Sequence, residues 1–241
     1  MRADVFLVEH GFAKSRSEAQ AAIREGLVRA DGAVIGKPSQ AVPVDAAIEY
    51  ERPHPFVSRG GVKLAAALDR FGLSPDGRIC LDLGASTGGF TQVLLQRGAA
   101  QVYAVDVGHG QMDVGLARDP NIVIRDGANA RDLSQVDLPG DIGAITADLS
   151  FISLKLALPP ALSLASKGAW AVLLVKPQFE VGRGAIGKGG IVRDKAAREA
   201  VPADIAGFIA TQAGWRVLGH MESPIAGGDG NVEYLLAAMK P

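Results

Sequence analysis

The segment Leu81-Asp82-Leu83-Gly84-Ala85-Ser86-Thr87-Gly88-Gly89-Phe90 has the make-up of a loop that cradles a ligand. It follows a short apolar run and opens onto a helical pattern. Gly84, Gly88 and Gly89 let a ligand come close to the backbone, and free amides at a helix start favour an anionic group. Asp82, Ser86 and Phe90 belong to the same loop and are read with it as cofactor-binding residues. Asp106 ends the next apolar run, 22 residues after Gly84. From there a carboxylate can accept both hydroxyls of an adenosine ribose. Asp126 ends the third run, where it could read an adenine amino group.

Four more ionisable residues fall at element ends. Lys63 begins a helical stretch, Asp148 follows the run Ile142–Ala147, Lys176 follows Ala169–Val175, and Glu233 opens the last apolar run. Taken singly, each reads as a solvated surface charge. Together with a glycine-rich loop at the same edge of a parallel sheet, they read as a reaction centre. A lysine flanked by a second lysine and partly desolvated should hold its proton less tightly than the usual value of about 10.4. Lys176 could then take a proton from a hydroxyl.

Three other patterns compete for these residues. The dinucleotide signature G-x-G-x-x-G is absent, because Ser86 stands at its second glycine. Gly84-Ala85-Ser86-Thr87-Gly88 does match a nucleophile elbow, but it follows the first strand of its sheet, whereas in that fold several strands come first. A Ser86–His220 pair is the one hydrolase arrangement left. Gly182–Gly189 resembles a phosphate-binding P-loop but has Gly189 where Ser or Thr must hold magnesium.

The elements needed to hold these residues can be read from periodicity. Leu64, Ala67, Leu68 and Phe71 mark a helix that Gly72 ends. Strands are expected at Ile79–Leu83, Val102–Val105, Ile122–Ile124, Ile142–Ala147, Ala169–Val175, Trp215–Leu218 and Val232–Ala238, with a helix within Ala196–Ala213 that Pro202 breaks or delays. Strands separated by helices predict an α/β, Rossmann-like, mostly parallel sheet covered on both faces. The first 50 residues differ. Ser15-Arg16-Ser17-Glu18 is a capping box, the helix after it stops at Gly26, and Asp31-Gly32 joins two short strands as a hairpin. This gives a small α+β domain over 1–50, a proline-rich linker over 51–58 and a large domain over 59–241.

Composition narrows the class. The chain has 241 residues, 48% hydrophobic and 21% charged, with 25 basic and 26 acidic side chains, which excludes a mainly disordered protein. No apolar run approaches the roughly 18–20 residues that span a bilayer. Asp4 and Glu9 interrupt the stretch a signal peptide would need. The single Cys80 excludes an internal disulfide and a multi-cysteine zinc site. A cytoplasmic protein without a membrane partner is expected. Residues 76–148 carry 5 basic and 10 acidic side chains, and residues 150–200 carry 8 and 3, a pattern that suits a cationic small molecule beside an anionic polymer.

Residues 1–50 resemble an S4 RNA-binding domain, through Ser15–Ala19 and the Gly26…Asp31-Gly32 hairpin. Residues 57–241 resemble the FtsJ-like methyltransferases. The resemblance runs through Val57–Leu64, the Asp82–Gly89 loop, Ala147-Asp148-Leu149-Ser150-Phe151, Val175-Lys176-Pro177-Gln178-Phe179-Glu180 and Gly187–Asp194. The pairing is similar to the hemolysin A (TlyA) family of ribosomal RNA 2'-O-methyltransferases. That resemblance implies S-adenosylmethionine as donor, ribosomal RNA or ribosomal subunits as partner, a cytidine ribose as acceptor, no metal, and a Lys63-Asp148-Lys176-Glu233 tetrad. Lys176 would be the base, Lys63 would hold ribose or phosphate, Asp148 would orient Lys176, and Glu233 would position Lys63 and the ribose. RNA contacts are expected from Arg2, Lys14, Arg16, Arg24 and Lys37, and from Arg183, Lys188 and Arg193 around the second glycine-rich loop. Family members can carry a tryptophan in the linker, and Arg52–Phe56 has none. With 5% aromatic residues, phosphate and shape contacts are expected to outweigh base stacking. Two other functions are compatible with parts of the sequence. A non-catalytic ribosome-assembly factor is disfavoured by the retained charged positions, and a pore-forming hemolysin by the lack of a membrane-insertable segment.

Overall fold

The computed structural model describes every residue except 135–137, 139–140, 183, 185, 188 and 228–229. The chain divides into two compact units, Met1–Pro55 and Phe56–Pro241. The division falls inside the proline-rich stretch. Glu51 is still tied to the first unit through its amide bond to the Leu27 carbonyl, while the Val57 amide donates to Gln92 in the second.

In the first unit, α1 (Ala3–Glu9) and α2 (Arg16–Arg24) pack on a three-stranded antiparallel sheet of β1 (Val28–Ala30), β2 (Ala33–Val34) and β3 (Ile48–Tyr50), in the order β2-β1-β3. Phe6, Leu7, Ala19, Ile23, Val28 and Ile35 close its core. Ser15 caps α2 by accepting from the Glu18 amide, as the capping box predicts. The Glu18 carboxylate reaches back one residue further than expected, to the Lys14 amide at 2.8 Å. Asp31 and Gly32 both have positive φ, 50° and 76°, the conformation that a two-residue hairpin turn requires.

The second unit holds a seven-stranded sheet. Its elements in chain order are α3 (Gly60–Phe71), β4 (Ile79–Leu83), α4 (Gly89–Gln96), β5 (Gln101–Asp106), β6 (Ile122–Asp126), β7 (Ile142–Ala147), α5 (Leu154–Ala157), α6 (Pro159–Leu164), β8 (Ala165–Val175), α7 (Pro177–Glu180), α8 (Lys195–Thr211), β9 (Arg216–Glu222) and β10 (Tyr234–Lys240). The strand order is β6-β5-β4-β7-β8-β10-β9, and β10 alone runs against its neighbours. Alternation along β8 shows why both faces are covered. Val172 and Leu174 pack with Leu64 and Leu68 of α3 and Val93 and Leu94 of α4. Ala171, Leu173 and Val175 pack with Leu158 and Leu162 and with Ile205 and Ile209 of α8.

Four elements depart from the periodicity reading. Helices α5 and α6 fill a stretch that carried no helical assignment; Pro159 and Pro160 start α6, where a missing amide costs nothing. Pro202 sits inside α8 without ending it, because Asp194 caps the helix from the Ala196 and Ala197 amides and Val201, Ile205 and Ile209 anchor it. Strand β10 begins at Tyr234, so Glu233 stands one residue outside it.

Asp82 lies in the middle of this sheet, fully buried, with Thr91 donating at 2.6 Å and Thr146 at 2.8 Å. Burial pushes its pKa up to about 6, against the lowering effect of the two hydroxyls. The folded state therefore holds this proton more tightly than the unfolded chain. Asp82's contribution to stability is full below about pH 4 and is lost as pH rises through about 6. Asp82→Asn keeps the hydroxyl contacts without the charge. Denaturant unfolding across pH 4–7.5 should show the Asn variant gaining on the wild type, by on the order of 2 kcal/mol at the upper end. A difference independent of pH would contradict this.

Candidate functional site

Four strands, β4, β5, β7 and β8, end at one edge of the sheet, and the residues just beyond them form the site. A cavity of about 430 Å³ opens there, lined by Gly84, Ser86, Asp106, Gln111, Asn129 and Asp148 among others. Gly84 has φ +77°, and a Cβ on it would run into the Asp148 carbonyl, so only glycine lets the ends of β4 and β7 come this close. The Asp106 carboxylate accepts from the Ser86 amide at 2.8 Å and the Gly108 amide at 2.7 Å. It thus pins the loops after β4 and β5 together, and each oxygen keeps a lone pair for a ligand. Ser86 carries a strained φ of 47°, and its hydroxyl bonds Gln111 at 3.0 Å. Among the described residues no histidine is bonded to this serine, and His220 lies within β9 against Tyr234, so the hydrolase arrangement is not formed.

Five residues expected to bind cofactor do not line this cavity. Asp82 is sealed inside the sheet. Gly88 and Gly89 are glycines for packing: a side chain on Gly88 would strike Met112 and Leu116, and one on Gly89 would strike Ser58 beside Gly61 of α3. Phe90 is 3% exposed and packs against the start of α3. Asp126 is exposed and accepts from the Gly110 amide at 2.7 Å, so it orders the loop whose Val107 and Gln111 line the cavity without lining it itself.

The four charged residues form two ion pairs. Lys176 Nζ meets Asp148 at 2.6 Å and donates to the Ser150 hydroxyl at 2.9 Å. Lys63 Nζ meets Glu233 at 2.5 Å. The second pair is nearly sealed, with side chains 8% and 4% exposed, whereas Lys176 and Asp148 keep 11% and 26%. Each lysine therefore faces its own carboxylate, where the sequence suggested a lysine–lysine neighbourhood. Lys63 is inward because it shares the buried stripe of α3 with Leu64, Ala67 and Leu68. Lys176 is held extended, φ −111° and ψ 101°, by Pro177 after it.

Other residues of the site lie in or beside the strings that carry the family resemblance, but residue type alone assigns them no role. Phe151 is 91% exposed with φ +63°, a conformation that strains an aromatic residue. Its ring lies 5.2 Å from that of Phe179, which in turn lies 6.0 Å from Lys176 Nζ. Glu180 locks this loop from across the site, accepting from the Ser153 hydroxyl at 2.6 Å and the Leu154 amide at 2.8 Å. Burial raises its pKa. Asn231, 3% exposed, accepts from the Val192 amide and donates to the Gly190 carbonyl, tying the second glycine-rich segment to the residues just before Glu233.

Of the residues expected to meet RNA, Arg2, Lys14, Arg16, Arg24 and Lys37 all lie exposed on the first unit. Arg193 is exposed just ahead of α8, while Arg183 and Lys188 lie outside the described residues.

Comparison with known proteins gives consistent matches over both units. Residues 56–240 match the FtsJ-like methyltransferase family and residues 1–48 the S4 domain. The chain is 46% identical over 237 residues to the 16S/23S rRNA (cytidine-2'-O)-methyltransferase TlyA of Mycobacterium tuberculosis, covering 98% of this chain and 88% of that one. It is 39% identical to a protein named Hemolysin A from Brachyspira hyodysenteriae, covering 98% of each. A solved structure from Streptococcus thermophilus, also named as a hemolysin, superposes with a TM-score of 0.78 at 40% identity, covering 100% of this chain and 88% of that one. With its methyltransferase fold, its S4 domain and this similarity along nearly its whole length, the chain belongs to the FtsJ-like methyltransferases, in the group that includes the TlyA proteins.

Proposed function

We propose that this protein transfers a methyl group from S-adenosylmethionine to the 2'-hydroxyl of a cytidine ribose in ribosomal RNA, presented within a ribosomal subunit. One observation carries the reading. Two lysine–carboxylate pairs converge on the edge of the sheet where the 430 Å³ cavity opens, and Asp148 belongs to both the cavity wall and a pair. When bound, S-adenosylmethionine supplies an electrophilic methyl carbon on a cationic sulfur. The cavity suits it. Gly84 and Ser86 offer close backbone, Asp106 keeps acceptor capacity for ribose hydroxyls, and Val105, Val107, Ala128 and Ala130 give apolar surface for a base.

This chain's own groups then have distinct tasks. Asp148 places negative charge at the cavity mouth, where a cation is favoured. Lys176 is held by Asp148 and Ser150, both of the cavity wall, which brings its ammonium within reach of a hydroxyl presented there. Its ammonium now donates to Asp148 and Ser150, so accepting the hydroxyl's proton requires that a proton first leave it for solvent, to which the side chain is 11% exposed, and Asp148 keeps its charge. Lys63, fixed by Glu233, supplies a positive charge that does not swing, suited to a ribose oxygen or the neighbouring phosphate. Most of the rate gain is assigned to holding the hydroxyl in line with the methyl carbon. Phe151, exposed beside Lys176, offers a flat face on which the base of the target nucleotide can stack once drawn out of its helix. This adds a stacking contact that the low aromatic content argued against. The S4 unit supplies affinity for RNA.

Ribosomal RNA is met in the cytoplasm, which is where this reading puts the protein. Among the described residues no helix is long and apolar enough to cross a membrane.

Two measurements test the assignment. Asp106→Ala should weaken binding of S-adenosylmethionine by roughly tenfold or more in calorimetry, the equivalent of one charge-assisted hydrogen bond. Unchanged affinity would remove Asp106 from the cofactor site. Lys176→Ala should lower single-turnover methyl transfer by on the order of 10²–10⁴ while cofactor affinity holds, and Lys176→Arg should fail as well, because a guanidinium cannot give up its proton. An arginine variant close to wild type would mean that a fixed positive charge suffices, and the base role would fall.

A further inference from the structure

Asp4 is the one acidic side chain of the first unit that is wholly buried, at 0% exposure. It is packed with donors. Arg2 Nε donates to its Oδ1 at 2.9 Å. Arg2 Nη2, Arg16 Nη2 and Gln20 Nε2 all donate to its Oδ2, at 3.1, 3.0 and 2.8 Å. Gln20 in turn accepts from Arg24 through its Oε1 at 3.5 Å. The hydrogen bond from Arg2 holds the carboxyl well below the usual carboxylate range in spite of its burial. A buried carboxylate needs several donors, and uncharged or equally buried ones would serve. This one gathers two guanidiniums whose side chains remain 51% and 57% exposed.

We propose that Asp4 is a positioning residue that clasps Arg2 and Arg16 into a single binding site for one RNA phosphate. The proposal rests on the RNA-binding reading of the first unit given above. Two guanidiniums sharing one carboxylate oxygen repel each other, and a single negative charge leaves the trio one unit positive. A phosphate set against the exposed forks completes the charge balance. An arginine fork matches phosphate oxygens in two parallel hydrogen bonds, and Arg2 spends only two of its five N–H donors on Asp4. Without the clasp, two long side chains would each have to be ordered at the moment of binding. Lys37 opens the turn whose Pro38 carbonyl accepts from the Asp4 amide, so a further cation stands close to the same backbone.

The sign of one effect separates this role from general electrostatics. Asp4→Asn removes a negative charge, so by net charge alone it should tighten binding to a polyanion. If Asp4 positions the arginines, it weakens binding instead. Affinity of the full chain for purified bacterial ribosomal subunits is measured across a series of salt concentrations. The expected result for Asp4→Asn is binding about tenfold weaker at low salt, with the slope of log Kd against log salt reduced by roughly one contact, about 0.7–0.9. Unchanged or tighter binding, or an unchanged slope, overturns the proposal even if the melting temperature falls. Should Asp4→Asn not fold, Arg2→Ala, Arg16→Ala and their double variant decide. A shared phosphate predicts that the double variant loses about the same slope as either single one. Losses that add to two contacts mean separate sites and overturn it. Failure of the wild type itself to bind subunits would instead strike the RNA-binding reading on which the proposal rests.

Discussion

A slip of one residue between β8 and β10 would dismantle the reaction centre. In the observed register Val175 pairs with Tyr234, so the next positions, Lys176 beyond one strand and Glu233 before the other, come to the same edge of the sheet. Because β10 is the antiparallel member, its beginning meets the end of β8, and a residue near the end of the chain joins residues at the ends of parallel strands. Glu233 then holds Lys63, 170 positions earlier in sequence. The register is fixed by burial: Val172 and Leu174 face one helical layer and Leu173 and Val175 the other, so a one-residue shift would exchange their faces at every position.

The two ion pairs have different physical characters. Lys63 and Glu233 are almost wholly desolvated, an arrangement that gives little net stability but costs on the order of 3–5 kcal/mol to break on one side only. That asymmetry fixes the lysine in one place. Lys176 and Asp148 stay partly open to solvent and to the cavity, where an entering ligand can change their partners. In the proposed mechanism one pair is a mount and the other is the working part. Gly84 joins them to the cavity, since its lack of a side chain is what allows the loop after β4 to touch the backbone of Asp148.

Much of this frame is legible in the sequence, for a definite reason. A strand buried on both faces must be an apolar run, so Ile79–Leu83, Ile142–Ala147 and the end of β8 announce themselves, and the residues that stop them, Gly84, Asp148 and Lys176, mark the edge where the cavity opens. The glycine-rich loop is visible too, but its residues are not interchangeable. Gly84 serves the cavity, while Gly88, Gly89 and Phe90 serve the contact between α3 and α4, and only packing partners distant in sequence tell them apart. Asp82 and Asp106 sit at similar places in their strands, yet one is sealed beneath two threonines and the other caps two loops. Phe151 and Ser150 matter through position alone, and a strained φ cannot be read from residue type. The pairing of each lysine with a carboxylate depends on side-chain reach across the sheet edge, which periodicity does not encode.

The central claim is that this edge of the sheet delivers a methyl group to a ribose oxygen and not to a base. It is tested most directly by incubating the protein with ribosomal subunits and methyl-labelled S-adenosylmethionine, digesting the RNA to nucleosides and identifying the labelled species by mass spectrometry. The account predicts label on the ribose of 2'-O-methylcytidine alone. Label on a base, or none from intact subunits that the protein binds, would contradict it.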